Sequence, residues 1–158
     1  PKRGFSLVEA LIGTALILLS LVGLTTAYAV YLKAGLKNMD TLKAAFLLQE
    51  GVEAATLLRD DNWGSFSALT TGTPYHLSWN GSKWVATTTE VLIDMMFKRT
   101  IQLDTAYRKN SGQDIVDASA PDAKTLDYNT KKLIVRVTAS TTPALDKQVV
   151  TYLTNLFE

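Results

Sequence analysis

Hydrophobic positions are unevenly distributed along the chain. From Ala10 to Leu32 there are 23 consecutive residues without a charge. A helix of that length rises roughly 35 Å at about 1.5 Å per residue, enough for a hydrocarbon core of about 30 Å. Beyond it no proline occurs between Lys33 and Arg59, and Leu32, Leu36, Met39, Leu42 and Phe46 recur at spacings of 4, 3, 3 and 4. That is one stripe of an amphipathic helix, with Lys33, Lys37, Asp40 and Lys43 largely off it. Leu48, Val52 and Ala55 continue an apolar face, while Gln49, Glu50 and Glu53 occupy another. Gly35 and Gly51 each weaken a helix by about 1 kcal/mol relative to Ala without breaking it. The pattern predicts one helix from about Phe5 to Arg59, stopped by Asp60-Asp61-Asn62 and Gly64. Its second half is amphipathic so that one side can pack on a globular head.

The rest of the chain carries the period of strands. Tyr75-His76-Leu77-Ser78-Trp79 and Lys83-Trp84-Val85-Ala86 flank Asn80-Gly81-Ser82, a hairpin signal. Phe97, Arg99, Ile101, Leu103, Thr105 and Tyr107 alternate with Lys98, Thr100, Gln102 and Asp104. Leu133, Val135 and Val137 alternate with Ile134, Arg136 and Thr138, and Val149 to Leu156 is rich in strand formers. An antiparallel sheet of this kind buries one face and wets the other. The expected fold is therefore α+β: a long N-terminal helix, transmembrane then amphipathic, packed on a four- or five-stranded antiparallel sheet.

Composition narrows the chemistry. The 158 residues carry 16 Lys plus Arg against 15 Asp plus Glu, a formal net charge of +1. This gives no support to a strongly basic nucleic-acid binder or an acidic disordered tail. There is no cysteine and only one histidine, His76. Disulfides, thiolate metal sites, a cysteine nucleophile and multi-histidine zinc sites are excluded. The chain shows no Gly-rich phosphate loop and no Gly-x-Ser-x-Gly elbow, and no spacing singles out a carboxylate pair. Enzymatic activity is not expected.

The residues leading into the apolar run are Lys2-Arg3-Gly4-Phe5-Ser6-Leu7-Val8-Glu9-Ala10-Leu11-Ile12. A basic pair, a glycine, an aromatic and then an acid four residues beyond it, opening a long apolar helix, resembles the class III signal of type IV prepilins and pseudopilins. The resemblance implies cleavage after Gly4 by a membrane prepilin peptidase and N-methylation of the new N-terminus, Phe5. It implies the pilin-like fold, and it covers Lys2 to Leu32 at the level of motif. Physical chemistry points the same way. A carboxylate deep in a bilayer costs roughly 2.5–3.5 kcal/mol on insertion scales and needs a partner. No basic residue follows Glu9 within one or two turns. After cleavage, an α-amino group appears one turn away, and the resemblance implies that Glu9 of one subunit pairs with the amine of Phe5 on its neighbour. The alternative role for Glu9, complementing the positive end of the helix dipole, is worth only about 0.3–1 kcal/mol and needs no neighbour.

On this reading residues 1–4 end a leader, 5–32 form the transmembrane and filament-core half of the helix, 33–62 its amphipathic half, and 63–158 a β-rich head. Lys2 and Arg3 favour the cytoplasmic side and place the head outside. The expected location is a single pass of the cytoplasmic membrane, then an extracellular filament. The partners implied are the prepilin peptidase and methylase, other pilin subunits, an inner-membrane assembly platform, and lipid before assembly. Many major pilins carry proline at the 22nd mature position and a C-terminal disulfide. Here that position is Thr26 and cysteine is absent, a pattern that fits a minor pilin or pseudopilin. Gly13, Ala15, Ser20 and Gly23 would permit close helix approach, or reflect ordinary transmembrane composition. Two alternatives remain: a single-pass anchored extracellular binding domain that does not polymerise, and a secreted module released after Ala27-Tyr28-Ala29, starting at Val30.

The segment from Lys109 to Lys131 reads as a long polar loop containing Asp114, Asp117, Asp122 and Asp127. These are weak candidates for calcium, since their spacing does not match an EF-hand loop. No cofactor is otherwise expected. Trp63, Trp79 and Trp84 are candidates for core or cross-strand packing, with exposed recognition as the alternative. Lys131, Lys132 and Arg136 make the densest positive patch, expected to be a solvated strand end.

Overall fold

A computed structural model describes residues 6–140 and 144–156. The chain divides into two compact units, Pro1–Thr41 and Leu42–Glu158. Helix α1 runs Leu7–Asp61 and contributes to both. The proposed first helical residue, Phe5, lies outside the described residues, and the C-terminal end falls two residues beyond the expected Arg59. Asn62 links α1 to a five-residue helix, α2 (Trp63–Ser67). Its N–H still reaches Leu58 O at 3.3 Å, while its side-chain Oδ1 accepts from Ser65 N at 2.7 Å and caps α2.

Among the described residues of the second unit seven antiparallel strands follow: β1 (Pro74–Trp79), β2 (Trp84–Thr87), β3 (Leu92–Ile93), β4 (Phe97–Lys109), β5 (Ile115–Val116), β6 (Lys124–Ala139) and β7 (Leu145–Thr154). The main order is β2-β1-β4-β6-β7, with β3 and β5 each pairing with β4. The architecture is the α+β arrangement expected, with more strands than the four or five read from the sequence. The segment expected to be a loop from Lys109 to Lys131 contains β5 and the first half of β6. Two-residue strands carry too little alternation to be seen in a sequence.

The core lies between the sheet and residues 42–61 of α1. Phe97, Ile101 and Leu103 of β4 and Leu133, Val135 and Val137 of β6 are all buried on that side. The expected alternation of β4 holds up to Leu103 and then changes phase. A register shift between Thr105 and Ala106 buries Ala106, whereas Thr105 and Tyr107, assigned to the same side as Ile101, are half-buried. Three residues of β6, Tyr128 to Thr130, have no opposite number on β4 at this point.

The helix meets the sheet through small side chains. Its buried residues are Ala44, Leu47, Gly51, Ala54 and Ala55. A Cβ on Gly51 would stand 2.5 Å from Val135 Cγ1, so glycine is what permits this approach. Of the stripe expected to pack on the head, Leu32, Leu36, Met39, Leu42 and Phe46, the two residues that lie in the second unit, Leu42 and Phe46, are instead exposed. Leu48, Val52 and Ala55 do pack against the core as expected.

Arg99 breaks the apolar pattern of β4. It is buried on the helix side, with Nη1 2.6 Å from Glu50 Oε2 and its guanidinium 5.1 Å from the Trp84 ring centroid. Nη1 lies off the direction of a hydrogen bond, so the contact with Glu50 is an ion pair rather than a directed bond.

Candidate assembly surface

The first unit is described by itself. From Leu7 to Leu32 its helix carries an almost continuous apolar surface, and none of the described side chains in the unit is buried. Among the described residues one helix, near the N-terminus, is long and apolar enough to cross a membrane. The serine and threonine hydroxyls inside the run are satisfied without leaving the helix. Thr14 Oγ1 donates to Leu11 O at 3.0 Å, Ser20 Oγ to Leu16 O at 2.8 Å, and Thr26 Oγ1 to Val22 O at 2.8 Å. Back-bonding of this kind meets the requirement that polar groups in hydrocarbon find partners internally. At Thr26 the helix continues without interruption.

Glu9 is the acid in the first turn of α1 and is exposed. Gly4 and Phe5, the residues implied for cleavage and methylation, lie outside the described residues. The four positions suggested for close helix approach are placed on this open surface, with Gly13 alone half-buried. A Cβ built on Gly13 or Gly23 meets nothing within 4 Å, so neither glycine is required by a contact within the chain.

Three of the four aspartates of the Lys109–Lys131 segment are drawn to separate cations. Asp117 Oδ2 accepts from Lys132 Nζ at 2.7 Å, and its Oδ1 from Ser119 N and Oγ. These bonds hold its carboxyl well below the usual range. Asp122 pairs with Lys109 at 3.2 Å and Asp127 with Arg108 at 2.6 Å. Burial pushes Asp127 upward, but hydrogen bonds from Thr130, Arg108 and Asn129 outweigh it and the net shift is down. Asp114 is exposed, its backbone carbonyl accepting from Lys109 N at 2.9 Å. Among the described residues no group of three or more His, Asp or Glu is placed to hold a metal ion. The basic patch is likewise divided: Lys132 is held by Asp117, and Arg136 is held by Asp146.

The three tryptophans take different environments. Trp63 is half-buried beside Phe66, centroids 6.0 Å apart. Trp79 and Trp84 are cross-strand partners in the β1–β2 hairpin, edge to face at 5.9 Å. Asn80 Oδ1 accepts from Ser82 N and Lys83 N, and Gly81 supplies the positive φ of 96° that the turn needs. Trp84 is half-buried, but Trp79 keeps 56% of its surface exposed. Sequence reasoning identified the pairing; the exposure of Trp79 depends on where α1 ends.

His76 sits in β1 with Nδ1 buried and lacking a hydrogen-bond partner. Burial pushes its pKa below 6.5, with Glu90 opposing and Lys98 reinforcing the shift. No known family, curated protein or solved structure matches the chain.

Proposed function

We propose that the chain is a structural subunit, a minor pilin or pseudopilin, of a type IV pilus or a related type II secretion or competence filament. Prepilin peptidase cleaves after Gly4, Phe5 is methylated, and the head stands outside the cytoplasmic membrane until an assembly platform moves the subunit into the filament. Glu9 then pairs with the amine of a neighbouring Phe5. The observation that carries this reading is the unburied apolar helix with one acid in its first turn, Glu9, and no charge from Ala10 to Leu32. In a plain anchor that acid gains only its interaction with the helix dipole, about 0.3–1 kcal/mol. A filament of parallel helices offers it a full partner, because the carboxylate and amine are neutralised only when subunits meet.

Two further observations support it. Gly13 and Gly23 each weaken the helix by about 1 kcal/mol relative to Ala, yet neither is needed inside the chain. Glycines of this sort serve close approach between helices. The unbroken helix at Thr26 and the absence of cysteine favour a minor pilin or pseudopilin over a major pilin.

Mass analysis of the protein recovered from its native cells tests the processing: the expected mature chain begins at N-methylated Phe5. Glu9→Gln tests the assembly. The variant is expected to keep a folded head and insert in the membrane but to be depleted from sheared filaments. An intact Lys2-Arg3-Gly4 segment, or normal filament entry of Glu9→Gln, refutes the proposal.

A further inference from the structure

The last turns of α1 and the β1–β2 hairpin enclose a cleft with features that the assembly surface does not use. It consists of two adjoining cavities of about 440 and 320 Å³ that share Leu58, Asp61, Lys83 and Trp84 in their walls. Volumes in this range suit a small ligand. The smaller one is walled by Leu57 and Asp60 on the helix side and by Trp79 and Ser82 on the hairpin side.

Trp79 is the unusual wall. Strand alternation puts it on the same side of the sheet as Leu77, a core residue, yet it stays 56% exposed. Its ring is nonetheless fixed in orientation. Trp84 holds it edge to face at 73°, and Trp84 is itself held by the Arg99 guanidinium 5.1 Å from its ring centroid. An oriented, exposed indole is a preformed stacking platform.

The polar groups beside it are charged but locally neutral. Asp61 Oδ2 accepts from Lys83 Nζ at 2.8 Å, and Asp60 Oδ1 from Arg59 Nε at 2.8 Å. A nucleic acid needs unpaired cations along its path, and here Lys83 and Arg59 already hold carboxylates. A cationic peptide meets the same neutralised acids. A ligand with an apolar ring face and several hydroxyls fits better. It stacks on the indole while its hydroxyls share the remaining lone pairs of Asp60 and Asp61 and the Ser82 hydroxyl.

We propose that this cleft is a binding site for neutral carbohydrate, with Trp79 as the platform and Asp60, Asp61 and Ser82 as the hydroxyl partners. The inference concerns the second unit alone and stands or falls independently of filament assembly.

The test is tryptophan fluorescence titration of the full chain in phosphocholine micelles, which present no sugar headgroup. The probes are neutral trisaccharides of glucose, galactose, mannose and N-acetylglucosamine, in α- and β-linked forms. At least one is expected to give a saturable change that is insensitive to salt. Trp79→Ala should weaken it by about tenfold or more, Trp79→Tyr should recover most of the affinity, and Trp63→Phe should leave it unchanged. Circular dichroism confirms that each variant is folded; Trp79→Tyr keeps the test valid if the alanine variant is not. The proposal is overturned if no trisaccharide binds, if a folded Trp79→Ala binds as well as the parent, or if a single-stranded oligonucleotide binds this cleft instead with strong salt dependence.

Discussion

Gly51→Ala is the sharpest probe of how α1 meets its sheet, because two effects of known sign oppose each other there. On an isolated helix the substitution stabilises by about 1 kcal/mol. In the folded chain the new Cβ lies 2.5 Å from Val135 Cγ1, where ordinary contact is 3.4–4 Å. Something must move by about 1 Å. Val135 is fully buried, and its branched Cβ leaves few rotamers into which Cγ1 can swing. Arg99 Cδ, at 3.2 Å, crowds the same space. Overpacking of this kind costs about 1–3 kcal/mol, so the net expectation is a loss of about 1 kcal/mol. Val135→Ala alone should cost about 2 kcal/mol as a buried truncation. It also removes the atom that clashes. In the double variant the alanine at 51 should therefore become stabilising, giving a coupling of about 2 kcal/mol. Urea unfolding followed by tryptophan fluorescence reads this directly, since Trp63, Trp79 and Trp84 all lie in the second unit. A Gly51→Ala variant more stable than the parent, or a cycle with no coupling, would show that the close approach is not there.

The remaining predictions concern charge and turn geometry. Glu50→Ala strands the buried Arg99 guanidinium, but Glu50 is half-exposed and solvent screens the pair, so the loss is expected to be about 1 kcal/mol; Arg99→Met, which keeps the stem against Trp84, should be neutral or stabilising in thermal melts. His76 should make the head less stable as pH falls below 6.5. The unfolded chain protonates there and the folded chain only at lower pH, so its contribution is full above 6.5 and is lost as pH drops through the folded value. As it is the only histidine, urea midpoints between about pH 5 and 7 should fall in the parent and stay flat in His76→Phe. Asp94 and Met95 have φ of 50° and 54° in the β3–β4 turn, and Met95 is 92% exposed. Met95→Gly should therefore stabilise by about 1 kcal/mol in the same unfolding assay, and a loss would mean that the side chain packs.

What the sequence made legible follows from where its signals are strong. The Asn80-Gly81 turn and the alternation around Ile101 and Val135 located β1, β2, β4 and β6, because period-2 burial and turn chemistry agree there. The short β3, β5 and α2 offer too few residues for any period to register. Glu9 stood out because an acid beside a long apolar run is anomalous wherever the chain folds. The Trp79 cleft was not legible. It arises from the end of α1 at Asp61 meeting a hairpin, and neither segment announces the other.

The misplaced helix stripe is the most instructive difference. Periodicity reports that a face is apolar, not which surface it meets. The row that packs on the sheet is mostly Ala44, Gly51, Ala54 and Ala55, whose weak hydrophobic signal is outweighed by the leucines and aromatics on other faces. Small residues are what a helix lying close on a sheet demands, and Gly51 against Val135 shows why. The large side chains are thus left over: within the second unit Leu42 and Phe46 are exposed although the core beneath is filled. A monomer in water gains nothing from displaying them. On the filament proposal their role changes, because a helix that must join a bundle of its own kind needs bulky apolar groups on the side its head does not cover.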